Sequence, residues 1–413
     1  MFTPDALALI GNSLGTVGWI FLLMAPVAMI VHLATVHSFQ LLGSPEGRHL
    51  AGFQNYLGRR NAAVIALSGK LPFAVCASAA LAVTAGFVFN EVFVYWFPNF
   101  AFAFLLLGTT MVVNLASRAA AQAAQVIAMA IVCIGLMVLC GAGLSHLPGE
   151  VGTHEYTSDV NYRYLAAAFV MLIGYDLGLY VQGNDCGSAQ RSKAISAAVV
   201  GGGLIVALWG LAAMTVVSPE KLESSTVPYM IAARKALGQP GRYIMGTVAI
   251  AAVFGAINSM MHSVSMMASQ LANTYIDNQS SEKTLSIRAA TVLLIAVASA
   301  SLMALGFAGE SYLETWIRAG IILWMLHYIV VNTTAIRAMQ RSAMPTPPGS
   351  ISWALLLKIF SITGMALAAF GMILMEPEPS QLWMFAFTAV AVLAVIVYLV
   401  DIFQNRNRSM HPQ

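Results

Sequence analysis

Charged residues are scarce in this chain. They make up only 9% of the 413 residues, whereas 59% are hydrophobic and the mean hydropathy is +0.78. A globular domain usually carries about a quarter charged residues. The formal net charge is only +3, and there is neither a long basic tail nor a zinc-type spacing. This composition excludes a water-soluble globular protein and does not indicate a nucleic-acid partner.

Cysteines and catalytic motifs are equally scarce. The four cysteines, Cys76, Cys133, Cys140 and Cys186, lie in or beside apolar runs without a disulfide-like spacing, which indicates buried small side chains. The sequence contains no nucleophile elbow, phosphate-binding loop, histidine-rich zinc pattern or dinucleotide fingerprint. We therefore predict no enzymatic activity, no cofactor and no metal site.

Long apolar runs are abundant, and many exceed the ~18–20 residues that span a bilayer as a helix. They do not alternate as the strands of a membrane barrel would. We predict an all-α polytopic membrane protein, one transporter domain over residues 1–413, with about eleven helices. Their approximate limits are 14–38, 61–89, 95–115, 121–145, 164–182, 194–217, 243–272, 286–308, 312–336, 352–374 and 381–403.

Basic residues are distributed unevenly between the predicted loops. One side, which includes the C-terminal tail, carries twelve Lys and Arg residues, and the other side carries five. The positive-inside rule therefore predicts a cytoplasmic C-terminus. An odd number of helices then places the N-terminus outside. Low charge and short loops favour a bacterial inner membrane as the location.

Several segments resemble the amino acid–polyamine–organocation (APC) permeases. The run from Gly15 to Phe21 is similar to that family's second helix, and Asn114–Val126 is similar to the start of its fifth. Phe169–Asp176 resembles its interrupted sixth helix, where an aromatic-rich run is followed by glycine, an aromatic residue and an acid. Arg191–Ile195 resembles the basic loop that follows, and Ala256–Ser269 resembles the eighth helix.

The resemblance implies a five-helix inverted-repeat fold and secondary active transport. The implied substrates are amino acids, polyamines or related organic amines, moved in a proton-coupled manner or by exchange, with the lipid bilayer as the surrounding partner. No segment before residue 14 matches the family's first helix, and Gly183-Asn184 replaces its usual acidic pair. These departures support an alternative, a degenerate permease homologue that acts as an accessory or sensor membrane protein.

Asp176 is the main candidate for the functional site. It follows Gly174 and Tyr175 within an apolar segment, where glycine can permit a helix break. A carboxylate in a bilayer costs about 2.5–3.5 kcal/mol on insertion scales, so it requires a partner or a function. We interpret these three residues as substrate-binding and Asp176 also as a coupling residue. The competing interpretation is a carboxylate that only holds neighbouring helices together.

Three further polar residues are weaker candidates. Lys70, about ten residues into its helix, is a second coupling candidate, or else it pairs with a structural carboxylate. Asn258 and His262 share a polar helical face and are predicted to bind substrate. A membrane histidine that merely bonds a backbone carbonyl is the more common case. His32, His37 and His327 are lesser candidates of the same kind. Glu314 and Arg318 are predicted to pair on one helix near the outer surface, as a structural pair or, alternatively, as a gate.

Overall fold

A computed structural model describes residues 2–43, 49–146, 162–180, 188–275, 281–342 and 353–410. Every regular element in these ranges is helical. In chain order the α-helices are α1 (Pro4–Val17), α2 (Trp19–Leu42), α3 (His49–Leu57), α4 (Arg59–Ser68), α5 (Lys70–Val92), α6 (Asn99–Ala116), α7 (Arg118–Leu144), α8 (Tyr162–Val170), α9 (Ser188–Val216), α10 (Pro219–Ser224), α11 (Pro228–Tyr275), α12 (Ser281–Ala304), α13 (Ser311–Ser342), α14 (Trp353–Leu374) and α15 (Pro379–Met410). A 3₁₀ turn at Tyr175–Leu179 follows α8.

Ten segments of the described chain are long and apolar enough to cross a membrane, with α4 and α5 forming one of them. This confirms the all-α polytopic architecture, whereas the inverted repeat remains a prediction. The fifth predicted helix, 164–182, is the one that does not appear among these ten spans. Its described part consists of the nine-residue helix α8 and the separate 3₁₀ turn, because the helix is interrupted before Gly174. The departure at Gly183-Asn184 and the cysteine Cys186 lie outside the described residues.

The beginning of the chain also differs from the prediction. The expected helix 14–38 is divided at Gly18, whose φ of +56° interrupts the helical path between α1 and α2. The signals for the additional helix α1 are local. Thr3 caps it by accepting a hydrogen bond from the amide of Ala6, Pro4 occupies its first turn, and Asp5 lies favourably near its N-terminus. Hydropathy alone did not detect these signals.

Helix α1 is tied to the short helix α10. The Asn12 amide donates to the backbone oxygens of Leu222 (3.1 Å), Glu223 (2.8 Å) and Ser225 (2.9 Å). Gly15 permits this approach, because a Cβ atom there would lie 2.3 Å from the Glu223 nitrogen. The first helix of the described chain is therefore fixed to a segment more than 200 residues later.

Ion pairs and ring contacts join the ends of distant helices. Arg60, at the start of α4, pairs with Asp401 in α15, and Arg341, at the end of α13, lies over the Tyr56 ring. The opposite end of α13 carries Arg318, which pairs at 2.9 Å with Glu376 in the turn after α14. These contacts tie together the ends of long helices that are far apart in the chain.

The middle of the bundle has apolar side chains outside and polar ones inside. Large apolar residues such as Leu23, Ile134 and Leu367 are about two-thirds exposed and face the lipid. The interior instead contains many buried alanines and a set of buried polar side chains. Small residues let the helix backbones approach closely. One group of these buried polar side chains lies where α2, α5, the α8 break and α13 meet.

Candidate functional site

The site begins with an interrupted helix. Helix α8 ends at Val170, a turn follows, and Gly174 takes a left-handed conformation with φ of +101° before the 3₁₀ turn starts at Tyr175. A side chain would be strained at this φ, which explains why glycine occupies the position. The sequence interpretation of a helix break at Gly174 therefore agrees with the described structure.

The break leaves backbone groups that neighbouring helices satisfy. His32 of α2 places Nε2 3.0 Å from the carbonyl oxygen of Phe169. Because a carbonyl only accepts, Nε2 carries the proton in this bond. On the other side of the break, the Gly174 amide donates to the hydroxyl oxygen of Tyr328 at 3.3 Å. Side chains of α2 and α13 thus supply hydrogen bonds to the backbone on either side of the helix break.

Asp176 is completely enclosed, with an ion-pair contact at one carboxylate oxygen and hydrogen bonds at the other. Its Oδ2 lies 2.8 Å from Nζ of Lys70, and the two side chains are 0% and 1% exposed. Its Oδ1 accepts hydrogen bonds from the Tyr328 hydroxyl (2.7 Å) and the Trp324 indole nitrogen (3.1 Å). The two coupling candidates from the sequence are therefore one ion pair, a contact that their separation of 106 residues did not reveal.

Lys70 reaches Asp176 because its helix packs very closely on α13. A Cβ atom on Gly69 would lie 2.6 Å from the backbone nitrogen of Trp324, so only glycine fits there without displacement. The Lys70 ammonium then lies 5.4 Å from the Tyr180 ring centre and 5.5 Å from that of Trp324. Aromatic faces stabilise a desolvated cation electrostatically, which supplements the carboxylate.

Tyr328 connects the two halves of the site. Its hydroxyl donates to the Asp176 carboxylate and accepts from the amide of Gly174, and its ring stacks on Tyr175 with centroids 5.3 Å apart. The His32 ring packs against the Tyr175 ring in a T-shaped arrangement, with centroids 5.2 Å apart. Movement of α13 would therefore act directly on both the backbone break and the ion pair.

A polar network extends from Tyr328 along α13. Asn332, one turn later, donates to the Tyr328 carbonyl (3.0 Å), Thr35 (2.9 Å) and Ser361 (3.2 Å), and it accepts from Ser38 (2.6 Å). Only the first of these contacts is the local backbone bond that a polar side chain in a helix commonly makes. Asn332 in fact joins α2, α13 and α14 inside the bundle.

Sequence reasoning missed Trp324 and Tyr328. Their signal was present in the spacing of Trp324, Tyr328 and Asn332, which recur every four residues and so share one face of a helix. Aromatic residues with polar tips are common in any apolar helix, so this stripe becomes informative only when Asp176 is found opposite it.

Asn258 and His262 belong to a different cluster. The Asn258 amide donates to Gln125 and to the Ala121 carbonyl, both at 2.9 Å, and its oxygen accepts from Asn114 at 2.8 Å. His262 lies one turn along α11, beside a cavity of about 190 Å³ between α7 and α11. The polar contacts of this cluster and those of Asp176 share no residue among those described. The structure thus divides the predicted substrate-binding residues between two places.

His262 has no hydrogen-bond partner among the described residues at either ring nitrogen, although it is only 5% exposed. The expected bond to a backbone carbonyl is therefore not seen there, and the same holds for His327. Unmade hydrogen bonds of buried groups are costly, so each such group requires an explanation. At His262 the adjoining cavity provides room for water or for a small polar molecule.

The predicted pair of Glu314 and Arg318 is confirmed at 2.9 Å. Its surroundings contain a partner that was not anticipated, because Arg318 also pairs with Glu376, which accepts a further hydrogen bond from Thr315 at 2.8 Å. Glu376 is buried whereas Glu314 is exposed. This triad lies at an end of α13 and joins it to the turn after α14.

Within the ranges that the structure describes, no three metal-ligating side chains come together. The geometry thus defines a multi-pass membrane protein with a buried ion pair at a broken helix. No protein-family model matches the chain, and comparison with curated proteins gives no significant match.

Proposed function

We propose that the protein is a secondary active transporter of amino acids, polyamines or related organic amines, driven by protons or by exchange. The observation that carries the proposal is the buried pair of Lys70 and Asp176 beside the helix break at Gly174. Interrupted helices that expose backbone dipoles near the membrane midplane are a recurrent way to build a transporter site. The resemblance of Phe169–Asp176 to the APC sixth helix agrees with this proposal.

The depth of the pair supports a functional role. Trp324 and Tyr328, which bind Asp176, lie near the middle of the 32-residue helix α13, far from either end. Ionisable side chains at such depth in a membrane are expensive and are commonly found along substrate or proton pathways. A structural tie could be made at lower cost by two uncharged side chains.

The chemistry of the pair suits an organic amine. A substrate ammonium can replace Lys70 at the Asp176 carboxylate, and a substrate carboxylate can bind the Lys70 ammonium that is released. Protonation of Asp176 would likewise release Lys70, which offers a route for coupling to a proton gradient. Tyr328 would sense either event, because its hydroxyl bonds both Asp176 and the break.

A second candidate function is a non-transporting accessory or sensor protein. The complete enclosure of Asp176 favours it, since both carboxylate oxygens already have partners from the protein itself. In that case the pair fixes the packing of α5 against α13 and the helix break, and no ligand ever replaces Lys70.

Uptake into proteoliposomes separates the two functions. We expect saturable uptake of at least one radiolabelled amino acid or polyamine under an imposed pH gradient or with trapped unlabelled substrate. Asp176→Asn and Lys70→Met should each reduce it at least tenfold, whereas Glu314→Gln, at the exposed residue of the Arg318 triad, should not. If a broad panel of amines gives no saturable uptake by the folded protein, the accessory function is the better explanation.

A further inference from the structure

Lys358 is a second buried lysine, distant in the sequence from the proposed transport site. It lies in the second turn of α14 and is 1% exposed. Its ammonium donates to the Ser38 hydroxyl at 2.8 Å and lies 3.3 Å from Nδ1 of His37, both near the end of α2. Both partners are formally neutral acceptors here, since His37 must leave Nδ1 unprotonated to accept.

Unlike Lys70, Lys358 forms no ion pair with a carboxylate of the described residues. A buried ammonium without an anion is among the most costly groups a protein can contain. An external anion that reached Lys358 would remove this deficit. Lys358 is therefore a cationic group to which an anion from outside the protein could bind.

A cleft of about 450 Å³ gives access to this position. Its walls are almost entirely apolar, and its polar side chains are Lys358 and His37. The apolar lining residues are Ile30, Leu33, Ala34, Ala354 and Leu357. Ile30, Leu357 and His37 are exposed on the outer surface of the bundle, so the cleft opens toward the lipid.

The position of Lys358 along α14 places it close to the lipid headgroups. It is five residues after Trp353, the first residue of α14, which is about 8 Å at 1.5 Å per residue. Trp353 is 80% exposed, as is common for tryptophan at a membrane interface. A lipid phosphate near the start of α14 would therefore lie close to Lys358, while an acyl chain descends along the apolar walls.

We propose that the cleft between α2 and α14 binds one anionic phospholipid, whose phosphate pairs with Lys358 and whose acyl chain packs on Ile30, Leu33 and Leu357. Rotation of the exposed His37 side chain opens the path and exchanges a neutral acceptor of Lys358 for a charged one. The proposal is independent of the transport activity, because it involves neither Asp176 nor Lys70.

Native mass spectrometry of the full-length purified protein tests it, with phosphatidylglycerol and phosphatidylcholine of identical acyl chains as probes. We expect about fivefold tighter binding of one phosphatidylglycerol, corresponding to the attraction of one basic residue to anionic lipid. Lys358→Met should abolish this preference. Lys193→Met is the matched control, since Lys193 is exposed, and it should leave the preference unchanged.

A second variant keeps Lys358 and tests the cleft even if Lys358→Met fails to fold. Ala354→Phe fills the cleft and should weaken binding of both lipids while size-exclusion profile and helicity remain those of the wild type. Equal binding of the two lipids by the wild type, or a phosphatidylglycerol preference that survives in folded Lys358→Met, would overturn the proposal. Strong binding of oleate without any phosphatidylglycerol preference would also overturn it and assign the cleft to free fatty acids.

Discussion

The ammonium of Lys70 lies 2.8 Å from a carboxylate oxygen of Asp176, and neither side chain is more than 1% exposed. Removal of one partner leaves the other charge buried and unpaired, which typically costs about 3–5 kcal/mol. We therefore expect Asp176→Asn and Lys70→Met each to lower the unfolding temperature substantially. The double variant should be more stable than either single one, because no unpaired charge remains.

Thermal unfolding of the four proteins in one detergent measures this coupling. Glu314→Gln serves as the control. It removes an ion pair with an exposed carboxylate, and such a pair adds at most about 1 kcal/mol to the free energy of unfolding. If the effects of the two single substitutions simply add in the double variant, Lys70 and Asp176 do not stabilise each other.

The contact between Gly69 and α13 gives a second prediction. Gly69→Ala places a Cβ atom 2.6 Å from the Trp324 nitrogen, so the helices must separate. We expect a loss of about 1–3 kcal/mol, as for other overpacked positions, and a corresponding loss of uptake because Lys70 moves with its helix. Gly108→Ala is the matched control, since no heavy atom lies within 4 Å of the added methyl group.

Circular dichroism melts and uptake assays on the same preparations check both parts. A Gly69→Ala protein as stable as Gly108→Ala would show that α5 and α13 do not pack as closely as described.

The Tyr328 hydroxyl provides a third prediction. Tyr328→Phe preserves the ring stacked on Tyr175 but removes the hydrogen bonds to Asp176 and Gly174. A hydrogen bond to a charged group contributes about 1.5–3 kcal/mol, so we expect a clear decrease in stability. Tyr312→Phe, at an exposed tyrosine, should have almost no effect.

Transport kinetics of Tyr328→Phe distinguish packing from function. If the hydroxyl links the helix break to the carboxylate during transport, the maximal rate should fall at least tenfold under conditions where the protein remains folded. An unchanged rate would restrict Tyr328 to a stabilising role.

The all-α, multi-pass architecture was predictable because bilayer crossing imposes a strong constraint. Long apolar runs between charged breaks indicated all ten candidate spans. The helix break was also predictable, since Gly174 is followed at once by an aromatic residue and Asp176 within an apolar segment. The predicted helix limits did not show where the helices at Gly18 and Gly174 are interrupted or end. A hydropathy profile is averaged over many residues, so it does not show the helix interruptions at Gly18 and Gly174. It would show an interruption only where the apolar run also ends.

The partners of Asp176 were not predictable from hydropathy, because they come from helices far apart in the chain. Lys70 was noticed only as a costly charge, and nothing in its own segment indicates which carboxylate it meets. Asn258 and His262 illustrate the opposite error. Their polarity suggested one common site with Asp176, but their direction around α11 places Asn258 against α7 instead.

Asn258 and His262 should therefore respond differently to substitution. Asn258→Leu removes bonds to Gln125 and Ala121 and leaves the Asn114 amide without its side-chain acceptor, so we expect a loss of about 1–3 kcal/mol. His262→Leu removes a ring whose nitrogens bond no described residue, and we expect an unchanged or slightly raised unfolding temperature. Uptake by the stable His262→Leu protein then decides the role of this cluster. Preserved uptake would separate it from the substrate path, whereas lost uptake would show that a ligand binds His262 in the cavity between α7 and α11.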